Sequence, residues 1–274
     1  MLKIPEFNTK KELFDFLVEN KSCLINAKKS VIKRADCISL NSVIVPELKS
    51  VDKAFSAQKE DTVEEGSLQV KVIINTTKVM DSHMDVHIDG LWDKSLKENK
   101  RIMHVQEHKT YEFDKIISSG EDLDAYTKMY NWKDLGVDSD GQTQALEFKS
   151  NVREDRNKYM HNQYKNDWVD NHSVGMQYVK LKLAINDEDY EAEKSMWDQN
   201  IDKVVNRSVA EEKGYFWAVT EAKVIEGSAV PNGSNPVTPT ISVENKNRVD
   251  YEKEKDTLEE QKNQLILGWL LKNK

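Results

Sequence analysis

At 274 residues and 38% hydrophobic side chains the chain can bury a sizeable core, and 48 acidic against 40 basic residues leave a net charge of −8. No Lys/Arg cluster is interleaved with aromatics, which argues against a nucleic-acid partner, and no window approaches the roughly 18 apolar residues of a membrane span. Cys23 and Cys37 are too few for a disulfide framework or a four-cysteine metal site, and MLKIPEFNTKKELF has no apolar run like a signal peptide, so a soluble protein kept in a reducing cytoplasm is expected.

Residues 1–65 read as helices and a linker. In NTKKELFDFLVEN, Thr9 and Glu12 form the T-x-x-E capping box ahead of an apolar stripe of Leu13, Phe14, Phe16 and Leu17. A second helix is expected over SCLINAKKSVIKRA, with Leu24, Ala27, Val31 and Ala35 roughly along one face. AFSAQKEDTVEEGS then loses periodicity, as a linker would.

Residues 66–240 are expected to form the main domain. β-branched LQVKVIINTTKV opens it, and FDKIISSG, TQALEFKSN, SVGMQYVKLKLAI and GYFWAVTEAKVIE follow as strands. Helices are expected around REDRNKYMHNQYKN and DEDYEAEKSMWDQNIDKVV, so the fold class is α+β and β-rich. Three of the five prolines fall in PNGSNPVTP, which should end the compact domain. Residues 241–274 read as a charged helix with Tyr251, Leu258 and Leu265 at heptad spacing, closing on LILGWLL, a surface helix or a partner-docking tail.

Three constellations could carry chemistry. His104, Glu107 and His108 spell H-x-x-E-H, a zinc-peptidase pattern that works only on a helix, yet strand-forming residues follow it. His83, Asp85 and His87 alternate in DSHMDVHIDG and could face a divalent metal, although a solvated turn leading into DGLWDKSL is the favoured reading. Ser173 opens a strongly patterned strand, two residues before Gly175, where a substrate backbone could approach closely. A serine hydroxyl needs a base, and the neighbouring His172 would point to the opposite face.

The blocks HVQEHKT, NHSVGMQY and VTEAKVIEGSAVPNGSNPVT, with DSHMDVHIDGLWDKSL before them, resemble in order and spacing the prohead (capsid maturation) proteases of HK97-like tailed phages. The resemblance covers roughly residues 68 to 240. It implies a β-barrel core related to the herpesvirus assemblins and a serine endopeptidase that needs no cofactor. Such an enzyme acts in the host cytoplasm, inside the assembling procapsid, on scaffold and major capsid protein and on itself. It also implies a homodimer, with no interface legible. By matching block, Ser173 is the nucleophile, His108 the general base and Glu221 the acidic residue orienting it, with Glu226 and His172 as rivals for that third place. Parity puts Glu226 on the other strand face unless a bulge intervenes. Backbone amides near Val174 and Gly175 would be natural donors to an oxyanion. A catalytically silent assembly protein on the same fold is the competing expectation.

Overall fold

The computed structural model describes residues 4–33, 66–99 and 101–245. The N-terminal capping box forms: the Thr9 side chain accepts from the Glu12 amide and the Glu12 carboxylate accepts from the Thr9 amide, opening α1 (Lys10–Glu19). Helix α2 (Lys21–Ser30) and the two-residue strand β1 (Ile32–Lys33) follow. Phe14, Leu17 and Leu24 are buried in the same cluster as the sheet residues Leu68, Val70 and Trp217. The helices therefore share the core of the strands that follow them.

Two sheets build the rest. One holds β10 (Thr240–Asn245), β2 (Ser67–Thr76), β7 (Gln142–Arg153) and β6 (Leu123–Asn131), antiparallel throughout and in that order. The other runs β1, β8 (His172–Ile185), β9 (Tyr215–Ala229), β4 (Met103–Gln106) and β5 (Ile116–Ser119). Strand β3 (Asp85–His87) also joins β9, parallel to it at Trp217–Val219, while β4 lies parallel at Glu226–Ala229. Strand β9 thus carries two short strands end to end on one edge and the long β8 on the other.

The sheets pack through Val72, Ile74, Leu146 and Phe148 of one and Val174, Met176 and Val224 of the other. Burying such side chains contributes about 1.5–3 kcal/mol each. Helices α3 (Asp93–Glu98), α4 (Lys158–Lys165), α5 (Glu191–Asn200) and α6 (Arg207–Lys213) cover the margins. Trp197 of α5 and Ala210 of α6 pack on Ala184, Phe216 and Ala218 in a second cluster.

The expected α+β class is present, but among the described residues the strands form two open sheets rather than a closed barrel. The prolines at 231–239 do not end the domain. Residues 240–245, assigned from sequence to the boundary and the charged tail, form β10 and pair along Leu68–Val72. The remainder of the expected C-terminal helix, and the linker, lie outside the described residues.

Candidate active site

Three adjacent strands bring the candidate residues together. Ser173 of β8 pairs with Ser228 of β9, and Gly175 pairs with Glu226. Directly opposed residues of an antiparallel pair share a face, so Ser173, Gly175, Glu226 and Ser228 do. That face points away from the inter-sheet core, where Ala222, Val224 and Ala229 of β9 are buried. With plain alternation Glu226 would follow Ala222 and Val224 inward. The register shifts between the Gly175 and Met176 pairs, and this β-bulge turns Glu226 outward to the serine.

His108 reaches the same place from the end of β4. The ladder runs one step past that strand, with the Glu107 amide donating to the Ala229 carbonyl at 3.0 Å. Glu107 and His108 then both adopt left-handed backbone, φ 50° and 59°, folding the chain back over β9. The His108 amide donates to Ser228 Oγ at 3.0 Å, Ser228 Oγ donates to Glu226 Oε2 at 2.6 Å, and His108 Nδ1 donates to Glu226 Oε1 at 2.6 Å. An ionised carboxylate only accepts, so the proton shared with it belongs to Nδ1 and Nε2 of the neutral ring carries the lone pair.

All four residues are buried, Glu226 and Ser228 completely. Two of their polar atoms have no hydrogen-bond partner: His108 Nε2 and Ser173 Oγ. Unsatisfied buried polar atoms are rare and call for an explanation. Here they are the atoms a proton-accepting base and a hydroxyl nucleophile would use.

Gly175 has a different role from the one its position suggested. A Cβ there would lie 2.0 Å from Glu226 Oε1 and 2.6 Å from its carboxyl carbon, so the glycine makes room for Glu226 rather than for substrate. Glu221 does not reach His108. It lies opposite Lys180, bonds Lys180 Nζ at 2.5 Å and faces Lys94 at 3.6 Å, contacts that lower its pKa. The carboxylate beside the base is Glu226.

His172 is also outside the cluster. It belongs to a buried chain on the core side of the sheet, and the chain's donors can be assigned in order. The Thr238 carbonyl can only accept, so His172 Nδ1 donates to it at 3.0 Å. His172 Nε2 then accepts from the Tyr164 hydroxyl at 3.1 Å, and the Tyr164 oxygen accepts from His104 Nε2 at 3.1 Å. His104 Nδ1 accepts from Ser150 at 2.9 Å, which accepts from Ser118 at 2.6 Å. Burial pushes both histidines toward the neutral form this order requires, His172 to about 4 and His104 well below its usual value. His104 and His108 thus lie on opposite sides of the sheet, and H-x-x-E-H makes no zinc site here.

The other metal-like motif is spent internally. Asp85 pairs with Lys28 of α2 and accepts from the Tyr178 hydroxyl at 2.8 Å; His87 meets Tyr178 and Asn75, each at 3.2 Å. Among the described residues no three His, Cys, Asp or Glu side chains are grouped to hold a metal ion, and no helix is long and apolar enough to cross a membrane. Comparisons with protein-family models, curated proteins and solved structures find no match. Ser228 was the member that sequence reading missed. Its only signal was the spacing E-x-S, which becomes informative once both residues are known to share a strand face.

Proposed function

We propose that the chain is a serine endopeptidase in which Ser173 is the nucleophile, His108 the general base and Glu226 the carboxylate that orients it. The observation that carries this reading is the buried Ser228–Glu226–His108 chain, which leaves Nε2 free on the strand face bearing Ser173. In the reaction Ser173 Oγ bonds to the scissile carbonyl carbon while its proton passes to His108 Nε2. The C–N bond then breaks and the leaving amine takes that proton. Water, deprotonated by the same nitrogen, cleaves the acyl ester and restores the serine. Glu226 favours the imidazolium formed midway.

The ordered blocks around His108, Ser173 and Glu226 support a narrower reading, a phage prohead protease. It would act on scaffold and major capsid protein in the procapsid, and on itself, as a homodimer with a barrel-like core related to the assemblins. One observation favours the silent assembly protein instead: Ser173 and His108 are buried and share no hydrogen bond.

Labelling with a serine-directed fluorophosphonate separates the two. The enzyme reading expects one adduct on Ser173, lost in Ser173→Ala with an unchanged melting temperature, and cleavage of coat or scaffold protein only by the wild type. Labelling at another serine, or no adduct and no cleavage even in the presence of coat protein, would sink it.

A further inference from the structure

The strand ends that carry Ser173, His108 and Glu226 also wall a cleft of about 150 Å³. Glu107 precedes His108, Ala229 follows Ser228, and Asp170 lies three residues before Ser173; all three line it. The Val230 amide donates to the Asn171 carbonyl at 3.1 Å, which carries the β8–β9 ladder one step past His172 to the rim of the cleft. Ala229 alternates with Ser228 and points to the other side of the sheet, so the cleft opens round the end of the sheet and not at the serine itself. At about 3.3 Å per extended residue, Asp170 stands roughly 10 Å from Ser173.

Two aromatic rings stand open in this lining, Tyr159 at 60% and Trp168 at 67% exposure. Trp168 is presented by a fixed turn: the chain leaves α4 through left-handed Asp167, φ 57°, and the Trp168 amide donates to the Gln163 carbonyl at 3.0 Å. Met160, Val169, Val230 and Pro231 add aliphatic surface. Among the described residues no lysine, arginine or histidine lines the cleft, and both its charges are carboxylates. Glu107 accepts from Gln106 Nε2 at 3.3 Å and faces Lys109 at 3.4 Å, whereas exposed Asp170 has no ion-pair partner among the described residues. A long basic side chain suits such a place, since its methylenes cover the aliphatic surface while its charged head meets a ring face and a carboxylate. A benzene-sized group also matches the volume. A neutral ring would cover Asp170 without pairing it, however, and an acidic side chain would be repelled.

Resting on the serine-endopeptidase reading, we propose that this cleft is a substrate subsite for a lysine or arginine side chain, with Trp168 and Asp170 as its specificity-determining residues. The separation from Ser173 sets that basic residue about three positions from the scissile bond and not beside it. Recognition then lies in the segment between α4 and β8, apart from the residues that perform the bond cleavage, and a change there alters which peptides are cut without altering how.

The test digests mixed-sequence synthetic peptides with full-length wild type, Trp168→Ala, Asp170→Asn and Asp170→Lys, reads the cut positions by mass spectrometry, and follows fluorophosphonate labelling of Ser173 in parallel. Both side chains are exposed, so unchanged melting temperatures are expected. Wild-type cuts should be enriched in lysine or arginine about two to four residues from the broken bond. On one such peptide Trp168→Ala and Asp170→Asn should each raise KM about three- to fivefold with kcat and the labelling rate unchanged, and Asp170→Lys should move the preference toward glutamate at the same position. A merely structural role would lower kcat or labelling and leave the preference as it was. Cleavage by a labelled wild type with no basic preference at that distance, a preference there for aromatic or aliphatic residues, or a basic preference that survives both Trp168→Ala and Asp170→Lys overturns the subsite and leaves the enzyme reading standing. Neither label nor cleavage, with or without coat protein, removes both.

Discussion

At the scale of single residues the site turns on a mutual fit between Gly175 and Glu226. Even one methyl at 175 would overlap the carboxylate, so Gly175→Ala should push Glu226 off His108 Nδ1. We expect it to behave like Glu226→Gln: kcat for peptide hydrolysis falls by about 10³- to 10⁴-fold, because losing the carboxylate frees the imidazole to adopt the wrong tautomer. Glu221→Gln, which disturbs only ion pairs with Lys180 and Lys94, should change kcat by less than about twofold. Steady-state kinetics on one peptide substrate compares all three, and a large effect at Glu221 with none at Glu226 would reverse the assignment. Sequence reading named Ser173 and His108 through their blocks and assigned the acid to Glu221, with Glu226 and His172 as rivals, whereas the carboxylate beside His108 is Glu226. What separates the two glutamates is register: the β8–β9 ladder shifts near Gly175 and twice more between Tyr178 and Leu181, and counting parity along β9 does not reveal such shifts.

At the scale of elements, helix α2 and strands β3 and β8 are joined by the buried pair of Lys28 with Asp85, to which Tyr178 adds a third contact. Removing one partner of such a pair leaves an uncompensated charge, which typically costs about 3–5 kcal/mol. Lys28→Met should therefore lower the unfolding free energy measured by urea titration by that order, and Lys28→Met with Asp85→Asn should recover a good part of it. A single mutant as stable as wild type would show that α2 is held by Leu24 alone. The helical hairpin was legible because capping and amphipathic spacing are local, although α2 stops at Ser30 and Ile32–Lys33, read from sequence as its continuation, form β1 instead. Its docking was not, since a lysine in KSCLINAKKS gives no sign that a carboxylate 57 residues away will meet it. Strand β10 was hidden for the opposite reason: PNGSNPVTP reads as an end, yet the chain returns to pair with β2.

At the scale of the whole molecule, the buried chain from Ser118 to Thr238 links β5, β7, β4, α4 and β8 to the segment before β10, and it holds only while His104 and His172 are neutral. Unfolded, both titrate near 6.5; folded, burial lowers both, His172 to about 4. Between those values the unfolded chain binds protons that the native one refuses. Stability from this source is complete above about pH 6.5 and is lost as pH falls, by about 3 kcal/mol from His172 alone on reaching pH 4. His161, also lowered by burial, adds in the same direction. Asp81 opposes them: burial raises its pKa, so its native form binds the extra proton and gains relative stability on acidification. With three histidines against one aspartate, the melting temperature should fall steadily from pH 7 to pH 4.5. His172→Asn, whose amide can still donate to Thr238, should start lower at pH 7 and fall less steeply. Scanning fluorimetry across that range reads both slopes, and parallel curves would mean that acid sensitivity arises outside the histidine chain.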